Sequence, residues 1–160
     1  MSDTRWLDEG EQWSWRNFLT AMHLLDAQLD RQLRRDSGIS HSAYSTLSAL
    51  SEASGHAMTM SALAVYLRAS QSRMSHSVSG LEHEGLVRRF KRPGDRRTTV
   101  VELTEHGLGL LEAAAPGHVE EVRRVLFDAL TPEQVRQLDG ISAALLGALD
   151  PENVEPRYTR

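Results

Sequence analysis

The stretch RRFKRPGDRRTTVVELTEHG, residues 88–107, sets six basic side chains in its first ten positions (Arg88, Arg89, Lys91, Arg92, Arg96, Arg97) against one acid, Asp95. The other 150 residues hold 12 of the 18 basic and 21 of the 22 acidic residues, a formal charge of −9 in a chain whose net charge is −4. Positive charge is therefore placed at one spot on an acidic body, the pattern of a surface that meets a polyanion. Taken alone such a run is more often a solvated charged turn, so the flanking residues must decide.

On both sides the pattern is that of strands. LVRRF and TTVVEL are short and apolar or β-branched, and Lys91 to Arg97, containing Pro93-Gly94, lies between them, which predicts a β-hairpin. Upstream the spacing is helical. In WSWRNFLTAMHLLDAQLDRQLRRDSG, Phe18, Met22, Leu25, Leu29 and Leu33 recur at three- and four-residue steps until Gly38. A second helix is expected from Ile39 to Ala53, with Ser40 as N-cap and Ala43, Leu47 and Leu50 on one face. Two shorter helices follow. One starts at Thr59 and turns Leu63 and Leu67 inward; the other is capped by Ser70, buries Met74, Val78 and Leu81, and ends at Gly85.

Downstream, Thr104 caps a further helical run that Pro116-Gly117 is expected to kink or interrupt, because proline removes an intrahelical hydrogen bond. Thr131-Pro132-Glu133-Gln134 then combines an N-cap, a first-position proline and a capping-box glutamine, and starts a last helix running to about Leu149.

Helix, helix, tight turn, helix and basic hairpin is the order of a winged helix-turn-helix, in which the second helix of the turn enters a DNA major groove and the hairpin reaches flanking backbone or minor groove. The residues also carry a resemblance. Asp95-x-Arg97, five residues, Leu103-Thr104, two residues and Gly107 resemble the D-x-R-x5-L-T-x-x-G wing signature of MarR-type transcriptional regulators, and SQSRMSHSVSGLEHEGLVRR is similar to that family's recognition helix running into its wing. The similarity covers roughly residues 15 to 149. The sequence departs from the family pattern at Gly80, where Arg is common, at Ser77, where Leu is, and at Arg68, where Gly is frequent.

The fold expected is mainly α with a small β-hairpin wing, a winged helix-turn-helix domain plus a helical dimerisation region. Residues 1–37 form the N-terminal helix of the dimerisation region. Residues 38–104 form the DNA-binding domain, with the recognition helix at about 70–84 and the wing at about 86–103. Residues 105–149 form C-terminal dimerisation helices and 150–160 a tail. What the resemblance implies is a homodimer on a pseudo-palindromic operator in double-stranded DNA. Physics favours the same arrangement, since two recognition helices related by a dyad fill successive major grooves about 34 Å apart.

Roles follow from position. Ser70, Gln71, Ser72, Arg73, Ser75 and His76 lie early on the recognition helix, away from its apolar face, and are the candidates for reading DNA, with Arg73 suited to guanine or phosphate and Gln71 to adenine. Arg92 at the wing tip is assigned to the minor groove and Lys91 and Arg96 to phosphates. Asp95 and Arg97 are wing-architecture residues by the resemblance, Asp95 pairing with a nearby arginine.

The resemblance further implies a repressor released by a small, aromatic or phenolic ligand, with Trp15, Phe18, Met22, His41 and Tyr44 as lining residues, although an aromatic and methionine stripe at helical spacing is usually core. The alternatives are a metal- or ligand-responsive activator of the same fold, and a winged-helix adaptor that binds protein.

Other functions lack their residues. With no cysteine there is no disulfide, thiolate metal site or thiol-based oxidant sensor. His76 and His83 share a helix face but stand about 10 Å apart, too far to chelate one ion, so no metal or cofactor is expected. Nothing marks a phosphate-cradling loop or nucleophile elbow, and no enzymatic activity is expected. No apolar run approaches a membrane span and the N-terminus lacks a secretion signal, so the expected location is the cytoplasm, without a membrane partner.

Overall fold

The computed structural model describes residues 4–92 and 94–151. Pro93 of the expected turn, and all but the first two residues of the expected tail, lie outside them. The chain divides into two compact units, one ending at Glu121 and one beginning at Val122.

The first unit opens with α1 (Glu9–Ser37). The helix starts at Glu9 because Asp8 forms a capping box: its carboxylate accepts from the Glu11 backbone N–H at 2.8 Å, and the Glu11 carboxylate accepts from the Asp8 N–H at 2.9 Å. Of the helical stripe, Leu29 and Leu33 are buried, whereas Phe18 and Met22 remain exposed in the single chain. Next come α2 (His41–Glu52), α3 (Met60–Tyr66) and α4 (Gln71–His83). Each is capped by the side chain of the preceding residue, Ser40, Thr59 and Ser70, accepting from the third helical N–H at 3.1, 3.1 and 3.3 Å. Their inward faces make one core. Leu47, Leu50, Leu63, Met74, Val78 and Leu81 meet Leu86, Val87 and Val101 there.

The hairpin is β2 (Val87–Arg92) and β3 (Asp95–Leu103), paired antiparallel from Val87 opposite Leu103 to Lys91 opposite Thr99, with a register shift between Lys91 and Arg92. Lys91, Arg92, Arg96 and Arg97 therefore lie in strands and not in the loop expected for them. A third strand, β1 (Ala57–Thr59), pairs with the other edge of β3, giving the order β1-β3-β2. Three strands with one buried face form a sheet that a lone hairpin would not sustain.

Helix α5 (Glu105–Val125) follows at once. Thr104 ties strand to helix: its hydroxyl donates to the Leu86 carbonyl at 3.0 Å and accepts from the Gly107 N–H at 3.0 Å. A Cβ on Gly107 would sit 2.1 Å from the Leu86 carbonyl oxygen, so only glycine fits where α5 crosses the wing's root. Of the kink or interruption expected at Pro116, the interruption does not occur; α5 runs from Glu105 to Val125 through it. Proline removes a single intrahelical bond, and helix on both sides carries the chain past it.

The second unit holds the end of α5, a 3-10 turn (Phe127–Ala129) and α6 (Pro132–Leu149). Its start is the expected capping box, with Gln134 N–H donating to the Thr131 hydroxyl at 3.2 Å and Thr131 N–H to the Gln134 amide oxygen at 2.9 Å. No residue of α6 is buried within the chain, and Ile141, Leu145, Leu146 and Leu149 are exposed.

Candidate nucleic-acid interface

Three hydrophobic residues fix which way α4 faces. With Met74, Val78 and Leu81 buried, Gln71, Ser72, Arg73, Ser75 and His76 are turned outward and exposed, together with the cap residue Ser70. The sequence assigned these residues to one surface, and the geometry brings them together on it. Gly80 also faces open space: a Cβ there would meet nothing within 4 Å.

The hairpin is braced to this helix by charge. Glu82, near the C-terminal end of α4, accepts from the Arg89 backbone N–H at 2.9 Å through one carboxylate oxygen and from the Arg89 Nε at 2.8 Å through the other. The Arg89 guanidinium holds the Glu82 carboxyl below the ordinary glutamate range. Across the sheet Arg88 donates to Glu102 of β3 and stacks over Phe90, 5.9 Å from the ring centre. That contact lowers the Glu102 pKa and raises that of Arg88. Two of the six basic residues are thus paired with acids of the fold, Arg88 while still exposed, and Lys91, Arg92, Arg96 and Arg97 are exposed as well. Lys91 Nζ donates to the Thr99 hydroxyl at 2.8 Å.

Asp95 shapes the hairpin end differently from expectation. Its carboxylate accepts from the Thr98 hydroxyl at 2.5 Å and the Arg97 backbone N–H at 3.0 Å, and these bonds lower its pKa, with the charge of Arg92 adding the smallest share. The expected pairing with an arginine side chain is replaced by an Asx-type turn, because backbone and hydroxyl donors lie within the same short segment. Arg97 contributes its backbone N–H to that turn.

Between α1, α2 and the base of α4 lies an open cleft of about 590 Å³. Asp26, Asp30 and His41 line one wall and Arg68, Arg73 and His76 the other. Of the five residues assigned to a ligand, only His41 lines this cleft. Trp15, Phe18 and Met22 are exposed along α1, and Tyr44 packs against His118 of α5 with ring centres 4.3 Å apart. The acids of α1 and Arg68 were missed because the cleft joins segments distant in the chain; the four-residue spacing of Asp26 and Asp30, which puts both on one helix face, is the trace it leaves in the sequence. Among the described residues no three histidine or acidic side chains are grouped to hold a metal ion, and no helix is long and apolar enough to cross a membrane.

A helix-turn-helix whose second helix is exposed on one face and braced to a basic hairpin defines a winged-helix protein. The MarR family's model matches residues 37–98. The crystal structure of Sco3205, a MarR family transcriptional regulator from Streptomyces coelicolor in complex with DNA, shares 40% identity with this chain over 100% of both chains, with a TM-score of 0.90. AbsC, a MarR family transcriptional regulator from the same organism, is also 40% identical, over 93% of this chain and 100% of its own, with a TM-score of 0.86. The transcriptional repressor MprA of Escherichia coli K12 is 27% identical over 131 residues, 81% of this chain and 74% of MprA. The chain belongs to the MarR family of transcriptional regulators.

Proposed function

We propose that this regulator reads operator DNA as a homodimer, with α4 in the major groove and the hairpin on the flanking backbone. The observation that carries the reading is the division of α4: three apolar residues buried, and Gln71, Ser72, Arg73, Ser75 and His76 exposed beside the basic hairpin. Arg73 grips guanine or phosphate, Gln71 reads adenine, Arg92 reaches the minor groove, and Lys91 and Arg96 take phosphates. Asp95 and Arg97 keep the hairpin end in shape. The complex of Sco3205 with DNA supports the same reading.

Two features support a dimer. Helix α6 has no buried residue although four of its large apolar side chains are exposed, and α1 separately exposes Trp13, Trp15, Phe18 and Met22. Apolar faces of this extent call for a partner surface, and a second copy supplies one by symmetry. A repressor role released by a small ligand in the α1–α2–α4 cleft fits the likeness to MprA and the presence of Arg73 and His76 on the cleft wall, where an occupant competes with DNA for the reading helix.

Binding of the purified protein to fragments flanking its own gene, compared with random duplex of the same length, tests the reading. Tight binding to one fragment supports an operator reader. Equal, weak binding to every fragment contradicts it.

A further inference from the structure

Beneath the cleft, three helices of the first unit meet at two imidazoles. His41, the first residue of α2, bonds through Nδ1 to Asp26 of α1 at 2.9 Å, and its backbone N–H donates to Asp30 of α1 at 3.0 Å. The ring of His118, on α5, lies 5.6 Å from that of His41 and 4.3 Å from that of Tyr44. His118 Nδ1 is buried and has no hydrogen-bond partner. The Arg34 and His41 contacts of Asp30 lower its pKa, so its carboxylate stays charged. Burial, with a smaller push from Glu52, raises the Tyr44 pKa, so its phenol stays neutral.

We propose that the His41–His118 pair is an acid-sensitive clasp between the long helices and the DNA-reading lobe. With His118 neutral, its ring packs on Tyr44 and α2 is held against both α1 and α5. Protonation leaves a buried Nδ1–H with no acceptor and sets a cation beside the His41 ring, and of the two imidazoles only His41 has a carboxylate, Asp26, within hydrogen-bond distance. Burial and the His41 charge both hold the His118 pKa below its ordinary value.

The sign follows. A histidine whose folded pKa is depressed costs nothing while both states are neutral, and costs progressively more as pH falls from about 6.5 through the lowered folded value. The closed clasp therefore belongs to neutral and alkaline pH and weakens on acidification. The titratable groups beside the pair are Asp26 and Asp30 on α1, bonded to His41, and Tyr44 on α2, packed on His118 and itself subject to the charge of Glu52; Arg68, Arg73 and His76 line the cleft that His41 also lines.

The consequence for DNA rests on the operator-reading proposal: a loosened α2 frees the angle at which α4 is presented, so affinity falls with pH. The test uses the full chain, wild type beside His118→Gln and His118→Phe, the second keeping an aromatic ring on Tyr44. Thermal midpoints from pH 8 to pH 5.5 and the imidazole titration of His118 by NMR are read on protein alone, with operator affinity as a separate arm. Expected are a His118 midpoint below 6.5 that rises in His41→Gln, a steeper loss of wild-type thermal midpoint than in either variant, and wild-type DNA binding that weakens by roughly threefold more than that of the variants on acidification. A His118 midpoint at or above 6.5, or parallel pH curves for wild type and both variants, overturns the clasp. Absence of DNA binding at pH 8 counts against the operator reading alone, since the protein-only arms still decide the clasp.

Discussion

Glu82 and Arg89 join α4 to the wing: one carboxylate oxygen accepts the Arg89 backbone N–H at 2.9 Å and the other its Nε at 2.8 Å. The side chains are about one-third exposed, at 34% and 31%, so water screens the pair and it contributes no more than about 1 kcal/mol to stability. Its larger effect is geometric, since it fixes where β2 leaves the end of α4.

Glu82→Ala is expected to lower stability by about 1 kcal/mol in denaturant unfolding while weakening DNA binding tenfold or so, because helix and wing no longer arrive together. The direction of the Glu82 pKa adds a pH signature. A depressed carboxyl pKa means that the stabilisation is complete above about pH 4.3 and is lost as pH falls through the lowered folded value. Wild type and Glu82→Ala should converge in stability at strongly acidic pH; a gap that persists there would show that the loss is one of packing.

Glycine to alanine changes should act in opposite directions at two sites. Gly107→Ala forces a methyl onto the Leu86 carbonyl and should cost about 2–3 kcal/mol. Gly80→Ala, with nothing within 4 Å of the added carbon and a helical backbone around it, should gain about 1 kcal/mol. Thermal unfolding of the two variants beside wild type reads both, and equal effects would contradict the packing described at the root of the wing.

How much of this was legible in the sequence differs by scale. Local signals held: Ser40, Thr59, Ser70 and Thr131 cap the helices they precede, and Met74, Val78 and Leu81 mark the inner face of α4. The Asp8 capping box was equally local and went unread because the apolar stripe begins later. Strand β1 is three residues long, too short for a period, and exists because β3 offers it an edge. The basic count of the wing misled for a different reason. Arg88 and Arg89 answer to Glu102 and Glu82, 14 and 7 residues away, and only the folded chain brings those acids to them. The cleft and the His41–His118 pair likewise join residues from α1, α2, α4 and α5, which no spacing rule connects.

Truncation before Thr131 removes α6 and with it Ile141, Leu145, Leu146 and Leu149, the exposed apolar residues of that helix. Sedimentation should show a dimer for the full chain and monomer or aggregate for the truncated one. A well-behaved truncated dimer would leave α6 without a role in assembly.

Arg92→Ala removes one exposed cation from the wing without touching the core. Binding should weaken similarly on every duplex, and the slope of log affinity against log salt should flatten by about one unit. An unchanged slope would show that the Arg92 charge does not meet DNA.

The most direct measurement for the account as a whole is operator affinity of Arg73→Ala, compared with its affinity for random duplex. Arg73 is exposed on α4 beside the buried Met74, so the substitution leaves the fold alone and deletes the contact to DNA proposed for it. If α4 reads bases, preference for the operator over random sequence should shrink by tenfold or more, about 1–3 kcal/mol of discrimination, while binding to random duplex changes far less. An unaltered preference would show that sequence is read elsewhere on the protein, and would contradict the assignment of α4 as the reading helix.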